Sequence, residues 1–127
     1  MFEITVKAEF CAAHTISIAG HQEPVHGHNW RVTAAVEAET LDDDGFVCDF
    51  HTVEDTLHAI IAPFVNNDLN ATPPFDTLNP TAEHIARYIG DQLAERLDEP
   101  LAPSARVSWV SITEAPGCVA TYRRSSR

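Results

Sequence analysis

Three histidines are spaced so that strand pairing would bring them together. Val25-His26-Gly27-His28-Asn29-Trp30 opens a run in which Trp30, Val32, Ala34 and Val36 alternate with Arg31, Thr33, Ala35 and Glu37. This period of two is the mark of a half-buried strand, in which residues two apart share a face. His26 and His28 therefore project to the side of Trp30 and Val32. An earlier run alternates Phe2, Ile4, Val6, Ala8 and Phe10 with Glu3, Thr5, Lys7 and Glu9. If its register continues, His14 falls on the apolar face. Antiparallel pairing of the two runs would bring His14 next to His26 and His28. Three imidazoles with one position left open make a common catalytic zinc shell.

The elements needed to hold such a cluster can be read along the chain. Residues 15–27 lack periodicity, carry Gly20, His21, Gln22, Glu23 and Pro24, and are expected to be a connecting loop. Leu41-Asp42-Asp43-Asp44-Gly45 reads as a turn with solvated aspartates. Phe50, Val53, Leu57, Ile60, Ile61 and Phe64 follow helical spacing, with Asp49 as N-cap and Pro63 near the end. Residues 66–80 are irregular, since Pro73, Pro74 and Pro80 exclude regular structure over most of them. A second helix begins near Pro80-Thr81, buries Ile85, Ile89, Leu93 and Leu97, and is expected to stop at Asp98-Glu99-Pro100. Val107, Trp109, Val110 and Ile112 form a third strand ending at Glu114, and Val119 and Tyr122 lie in a fourth. Arg123 to Arg127 is expected to be a mobile tail. The order is ββααββ, an α+β arrangement in a single domain spanning 1–127.

Composition narrows the function. The chain has 127 residues, is 44% hydrophobic and 21% charged, and carries a formal net charge of −11. That balance excludes general nucleic-acid binding, which needs clustered Lys and Arg, and disfavours an anionic membrane surface. Lys7 is the only lysine, so a polyanionic substrate would need an arginine or a metal ion. Cys11, Cys48 and Cys118 are odd in number and widely spaced, which argues against a disulfide framework and for a reducing compartment. The opening MFEITVKAEF shows no basic or apolar targeting region, and no stretch is long enough to span a membrane. A cytoplasmic protein is expected. His21, His51, His58 and His84 have no partner pattern and read as surface residues. Cys11 has the odd register of its strand, so it should point away from His14 as a packed structural thiol.

Several short pieces occur in one order: Phe10-Cys11-Ala12-Ala13-His14, His26-Gly27-His28-Asn29, Asp49-Phe50, Leu69-Asn70, Asn79-Pro80-Thr81-Ala82-Glu83 and Thr113-Glu114. Over nearly the whole chain they resemble the 6-pyruvoyltetrahydropterin and 6-carboxytetrahydropterin synthase family. The resemblance implies the tunnelling fold, or T-fold: an antiparallel sheet with two helices on one face. In it, subunits join their sheets into trimeric barrels and two barrels stack as a homohexamer. It implies zinc on His14, His26 and His28, a pterin-like ligand, and ring recognition at Thr113-Glu114, where the Glu114 carboxylate accepts from the adjacent amino and ring N–H groups.

The family's catalytic residues do not carry over. The cysteine of the C-x-x-x-H-G-H pattern corresponds to Gln22, and the Asp-His pair before Leu69-Asn70 corresponds to Asn66 and Asn67. Amides do not titrate near neutral pH, so these positions cannot exchange the family's proton. Some members use a glutamate near the cysteine position and cleave the side chain of dihydroneopterin-type substrates; Glu23 could take that part. Three functions stay open: a pterin-binding homologue without the synthase reaction, a pterin side-chain lyase using Glu23, and the ordinary conversion of 7,8-dihydroneopterin triphosphate. The leading expectation is the first.

Overall fold

The computed structural model of the chain describes residues 1–125. Its spine is the pair β1 (Phe2–His14) and β4 (His26–Ala38), antiparallel over their full length from Phe2 opposite Ala38 to His14 opposite His26. The alternation seen in the two runs is their burial pattern. Val6, Phe10, Ala12 and His14 point into the core, while Thr5, Lys7, Glu9 and Cys11 are exposed on the other face.

The connection between these strands is more ordered than a loop. β2 (Ser17–Ile18) and β3 (His21–Gln22) form a small hairpin. Ala19 and Gly20 turn it with φ of 50° and 81°, the left-handed pair that suits a two-residue hairpin. Two-residue strands are too short to show a period, so the sequence reads only as a loop.

After β4, the Asp42 carboxylate accepts the N–H groups of Asp44 and Phe46 and closes the acidic turn. α1 (Phe50–Ile61) follows, capped by Asp49, whose side chain accepts from the His51 N–H. Val53, Leu57, Ile60 and Ile61 are buried, but Phe50 at the first turn is 50% exposed. A 3-10 turn (Ala62–Phe64) leads to β5 (Asn67–Asp68), which pairs parallel with β1 at Ala12 and Ala13. A second 3-10 turn (Leu69–Ala71) follows. α2 (Ala82–Leu101) starts at Thr81, whose side chain accepts from the His84 N–H. It continues through Asp98-Glu99-Pro100, where the sequence suggested a stop. A proline removes only its own backing hydrogen bond, and the Ala102 N–H still reaches back to the Asp98 carbonyl.

β6 (Ala105–Ala115) and β7 (Cys118–Arg123) complete the chain, joined at Gly117 with φ of 80°. Arg123 ends β7 rather than beginning a tail. Arg124 is anchored too, donating to the Val107 carbonyl at 2.7 Å and pairing with Asp98 at 2.6 Å. Ser126 and Arg127 lie outside the described residues.

The sheet order is β5-β1-β4-β6-β7. The four long strands are antiparallel and, with α1 and α2, give the ββααββ order; the short parallel β5 makes the sheet five-stranded. Both helices pack on one face, closing a core that includes Phe10, Trp30, Val32, Leu57, Ile85, Ile89 and Ile112. The other face is uncovered and carries Lys7, Glu9 and Arg31. Among the described residues β5 covers only Ala12 and Ala13 of the outer side of β1, and β7 is the opposite edge.

Gly90 marks the tightest contact between helix and sheet. A Cβ there would lie 2.8 Å from the Tyr122 ring. That ring is tethered, because its hydroxyl donates to Asp91 at 2.8 Å. Alanine gains about 1 kcal/mol in helix propensity, but overpacking costs about 1–3 kcal/mol. Gly90→Ala is therefore expected to lower stability in urea denaturation. In a Tyr122→Ala background the same change should become stabilising, which a double-mutant cycle would read directly.

Candidate metal centre

The β1–β4 register assembles the histidines. His14 is the cross-strand partner of His26, and His28 lies two residues along on the same face. Each offers a ring nitrogen, and these nitrogens all lie within 4.8 Å of one another. The rings meet edge to face, with centroids 4.5 Å apart for His14 and His26, 5.3 Å for His14 and His28, and 4.8 Å for His26 and His28. Trp30 packs beneath them, edge-on to His14 and His28, and is held by its indole N–H to the Ala12 carbonyl.

Hydrogen bonds set the tautomers. His14 Nδ1 is 2.8 Å from the Pro80 carbonyl, and His26 Nδ1 is 3.0 Å from the Pro24 carbonyl. A carbonyl only accepts, so each Nδ1 carries the proton and each Nε2 of the neutral ring presents a lone pair. Yet the two Nε2 atoms are 2.9 Å apart. Lone pairs that close repel unless a cation or an added proton lies between them. Burial pushes the His14 pKa below its usual 6.5; the Pro80 carbonyl opposes this and the neighbouring His26 adds to it. The added proton is thus disfavoured. His28 Nε2 is also buried with no hydrogen-bond partner. Two Nε2 lone pairs beside an unpartnered His28 Nε2 fit a divalent ion that takes imidazole, such as zinc.

Glu114 reaches the cluster from β6. Its Oε1 is 3.4 Å from His14 Nε2, and its side chain is 30% exposed. Glu114 and Thr113 line a cleft of about 330 Å³ with His28 and Arg31. A second cleft of about 530 Å³ lies toward β1 and β5 and is again lined by His28, with Cys11, Asn29, Asn66, Asn67 and Asp68. His28 is thus common to both.

Comparison with known proteins identifies the family. The family model described as 6-pyruvoyl tetrahydropterin synthase matches residues 3–125. The chain belongs to the 6-pyruvoyl tetrahydropterin synthase family. It is 30% identical over 125 residues to the 6-carboxy-5,6,7,8-tetrahydropterin synthase of Bacillus subtilis, covering 96% of this chain and 85% of that one. It is 30% identical over 94 residues to the dihydroneopterin monophosphate aldolase of Pyrococcus furiosus, covering 74% of this chain and 76% of that one. The structure of Caenorhabditis elegans 6-pyruvoyl tetrahydropterin synthase shares the fold, with a TM-score of 0.84 at 20% identity, over 98% of this chain and 96% of that one. The fold is thus the family's T-fold, and its function lies in pterin metabolism.

The other residues singled out from the sequence fall in different places. Glu23 lies half-buried between β3 and β4, with its N–H donating to the Ile16 carbonyl at 2.9 Å. Among the described residues its carboxylate has no hydrogen-bond or ionic partner, the histidines included. It does precede Pro24, whose carbonyl orients His26. Gln22 is exposed on the hairpin opposite Ser17. Asn66 is left-handed with φ of 59°, and its N–H donates to the Cys11 carbonyl at 2.7 Å. Asn67 Nδ2 donates to the Pro63 carbonyl. Asn66 and Asn67 share a cleft; Gln22 is not among the residues lining it.

Two expectations need correction. Cys11 points away from His14 as its register demands, but it is exposed rather than packed, with its thiol donating to Asn29. No helix covers that sheet face, so an odd-register residue stays open. His84 is partly buried, its Nδ1 2.7 Å from the Asn79 carbonyl, whereas His21, His51 and His58 are exposed.

A pair of asparagines was missed as site-builders. Asn70 accepts the Thr15 N–H at 2.7 Å and donates to the Thr15 carbonyl at 2.8 Å. Asn79 does the same to Ser17, at 2.9 and 3.0 Å. Each side-chain amide thus acts like a short strand, pinning the segment that leaves His14. The available signal was an irregular stretch, residues 66–80, that carries four asparagines beside its three prolines.

The protein is expected to bind zinc stoichiometrically, and His14→Ala or His28→Ala should each lose most of it on dialysis against a mild chelator. Without metal, His14 also makes stability depend on pH. Its folded pKa is depressed, so the unfolded chain binds the extra proton first. This contribution is fully present above about pH 6.5 and is lost as pH falls toward the folded value. Denaturation of metal-free protein between pH 8 and 5 should show the decline, and His14→Gln should flatten it.

Proposed function

We propose that this chain is a zinc-dependent enzyme that binds a reduced pterin and cleaves its side chain, with Glu23 as the base. The observation that carries the reading is the convergence of three bare histidine nitrogens beside the Glu114 carboxylate. The positions aligned with the synthase residues hold amides, and Glu23 is a carboxylate without a hydrogen-bond or ionic partner in the connecting segment. A relative named as an aldolase supports the same chemistry.

In this reading Glu114 accepts two N–H bonds from the pterin ring, with Thr113 beside it, and fixes the ring's orientation. His14, His26 and His28 hold the zinc, their rings aimed by the Pro80 and Pro24 carbonyls. When bound, zinc supplies Lewis-acid polarisation at the oxygens of the pterin side chain. Glu23 removes the hydroxyl proton at the second side-chain carbon. The bond between the first and second carbons breaks, the second becomes an aldehyde carbonyl, and the electron pair passes to the first, conjugated with the ring. Glu23 returns the proton to that carbon. The products are a hydroxymethyl pterin and a small hydroxyaldehyde, with no oxidant or reductant required. Reach is the one demand: the segment of Glu23 must bring the carboxylate to the substrate once it is bound.

A second reading rests on the lack of a hydrogen bond or ion pair between Glu23 and the histidines: a pterin-binding homologue without turnover. The ordinary synthase reaction fits least, since Gln22, Asn66 and Asn67 do not exchange protons. For assembly, the unpaired outer sides of β1 and β7 support closure of the sheet with other copies, and a homohexamer built as a dimer of trimers is the form proposed. Three free thiols fit a cytoplasmic setting, and no helix of the described residues is long and apolar enough to cross a membrane.

Glu23→Gln is expected to leave pterin binding intact and to reduce cleavage by about 10²–10⁴-fold, followed by chromatography of the products. Glu114→Ala should weaken ring binding by about 1.5–3 kcal/mol, read by fluorescence titration. If neither wild type nor Glu23→Gln cleaves and both bind equally, the binding reading stands instead. Robust synthase turnover would show that the alignment of Gln22, Asn66 and Asn67 is wrong. Light scattering at micromolar concentration should give six times the chain mass; a monomer would refute the assembly.

A further inference from the structure

The hairpin that leads into Glu23 is hydrogen-bonded to the rest of the chain through one side chain. Its residues 17–22 are exposed. Among the described residues, the one partner outside residues 16–23 that hydrogen-bonds them is Asn79. Its side-chain amide accepts the Ser17 N–H at 2.9 Å and donates to the Ser17 carbonyl at 3.0 Å. Ser17 lies opposite Gln22, and the Glu23 N–H donates to the Ile16 carbonyl at 2.9 Å. The Ile16-Ser17 backbone is therefore the template on which Gln22 and Glu23 are laid, and Asn79 holds that template.

The backbone of the same residue has a different task. The Asn79 carbonyl accepts the Thr81 N–H at 2.8 Å and the His84 Nδ1–H at 2.7 Å, which fixes it to the start of α2. The next carbonyl, that of Pro80, accepts from His14 Nδ1. A proline also restricts the residue before it, so the Asn79 side chain and the Pro80 carbonyl leave the chain in set directions. One leads to the segment of Glu23, the other to a metal ligand. Asn79-Pro80 thus joins two parts of the site that lie on different elements.

We propose that Asn79 is a positioning residue for proton transfer: through Ser17 its side chain sets where the Glu23 carboxylate stands relative to a substrate held at the histidines. The proposal rests on the reading of Glu23 as the base. A base must come within about 2.6–3.2 Å of the proton it removes. The Glu23 carboxylate has no partner of its own to hold it. Its place is set by its backbone, and that backbone is set by Ser17 and Asn79. Asn79 is not among the groups assigned to the pterin ring or the metal, so it acts on the rate and on neither binding event.

Asn79→Ala separates the two tasks, because it removes the clamp and leaves both carbonyls. In metal-free protein, hydrogen exchange at the Ser17 and Glu23 amides should quicken about tenfold or more, while Phe10 and Trp30 in the long strands keep their protection. Zinc content and affinity for 7,8-dihydropterin should match wild type. With 7,8-dihydroneopterin, kcat should fall about 10–100-fold with KM little changed, since a misplacement of about 1 Å costs about 10²-fold. Asn79→Asp keeps the size of the side chain but turns an oxygen toward the Ser17 carbonyl, and should be as slow as Asn79→Ala. The decisive measurement is a double-mutant cycle with Glu23→Gln. If Asn79 works through Glu23, Asn79→Ala adds nothing to the loss that Glu23→Gln already causes. Losses that multiply, a fully active Asn79→Asp, unchanged exchange at Ser17 and Glu23, or a fall in zinc content that matches the fall in rate would each overturn the proposal. A wild type that cleaves, is stopped by Glu23→Gln and is indifferent to Asn79→Ala would overturn it alone and leave the proposed function standing. A wild type that does not cleave would overturn the proposed function, and this proposal with it.

Discussion

The structure depends on one cross-strand pair, His14 opposite His26. Because the side-chain period of a strand is two, a slip of β1 by a single residue against β4 would send His14 and Phe10 to the uncovered face, away from His26, Trp30 and Val32. The register that buries the core is therefore the register that builds the site. No separate device is needed to bring His14 to His26 and His28. The energetic conflict in the cluster follows from the same pairing. Two Nδ1 atoms are committed to carbonyls, so two Nε2 lone pairs are driven to 2.9 Å. In the metal-free chain this contact is unfavourable, and the core's preference for one register holds it in place.

The second layer of control comes from the irregular segment after α1. Its prolines keep it out of regular structure, yet it supplies the parallel β5, the Pro80 carbonyl and the two asparagine clamps on Thr15 and Ser17. A segment without its own hydrogen-bond ladder must satisfy its polar groups elsewhere. Here it does so on the residues that follow His14. The site is thus closed by loops, but by loops whose backbone is paired on both sides.

These features explain what could be read from the chain alone. The long strands, both helices, the Asp49 and Thr81 caps and the convergence of the histidines were legible, since each leaves a periodic or capping signature. The β2–β3 hairpin and β5 were not, because two residues carry no period and β5 exists only through its contact with β1. The passage of α2 through Pro100 was hidden by a strong local rule that tertiary packing on β6 outweighs. The exposure of Cys11 was half legible: its register gave the direction, but which sheet face the helices cover is a property of the whole fold. Similarly, the anchoring of Arg124 needs Asp98, distant in sequence, and no local pattern announces it.

On the proposed reading, the remaining question is why a site would keep a ring-binding carboxylate and metal ligands while the positions aligned with the family's proton-exchanging residues are amides. Ligand binding and proton transfer draw on different atoms here. Glu114 and the histidines sit on β1, β4 and β6, where the core register positions them. The positions aligned with the family's proton-transfer residues sit on the hairpin and on the 66–68 segment, where the side chains are exposed. Asn66 illustrates the point: a left-handed φ of 59° suits asparagine better than most residues, so the amide there also serves the backbone. Asn67 is used locally as well, through Pro63. Substituting these positions therefore changes the chemistry at little cost to the fold. On the proposed reading, such a scaffold retains pterin recognition while the base moves one residue along, from the position of Gln22 to that of Glu23.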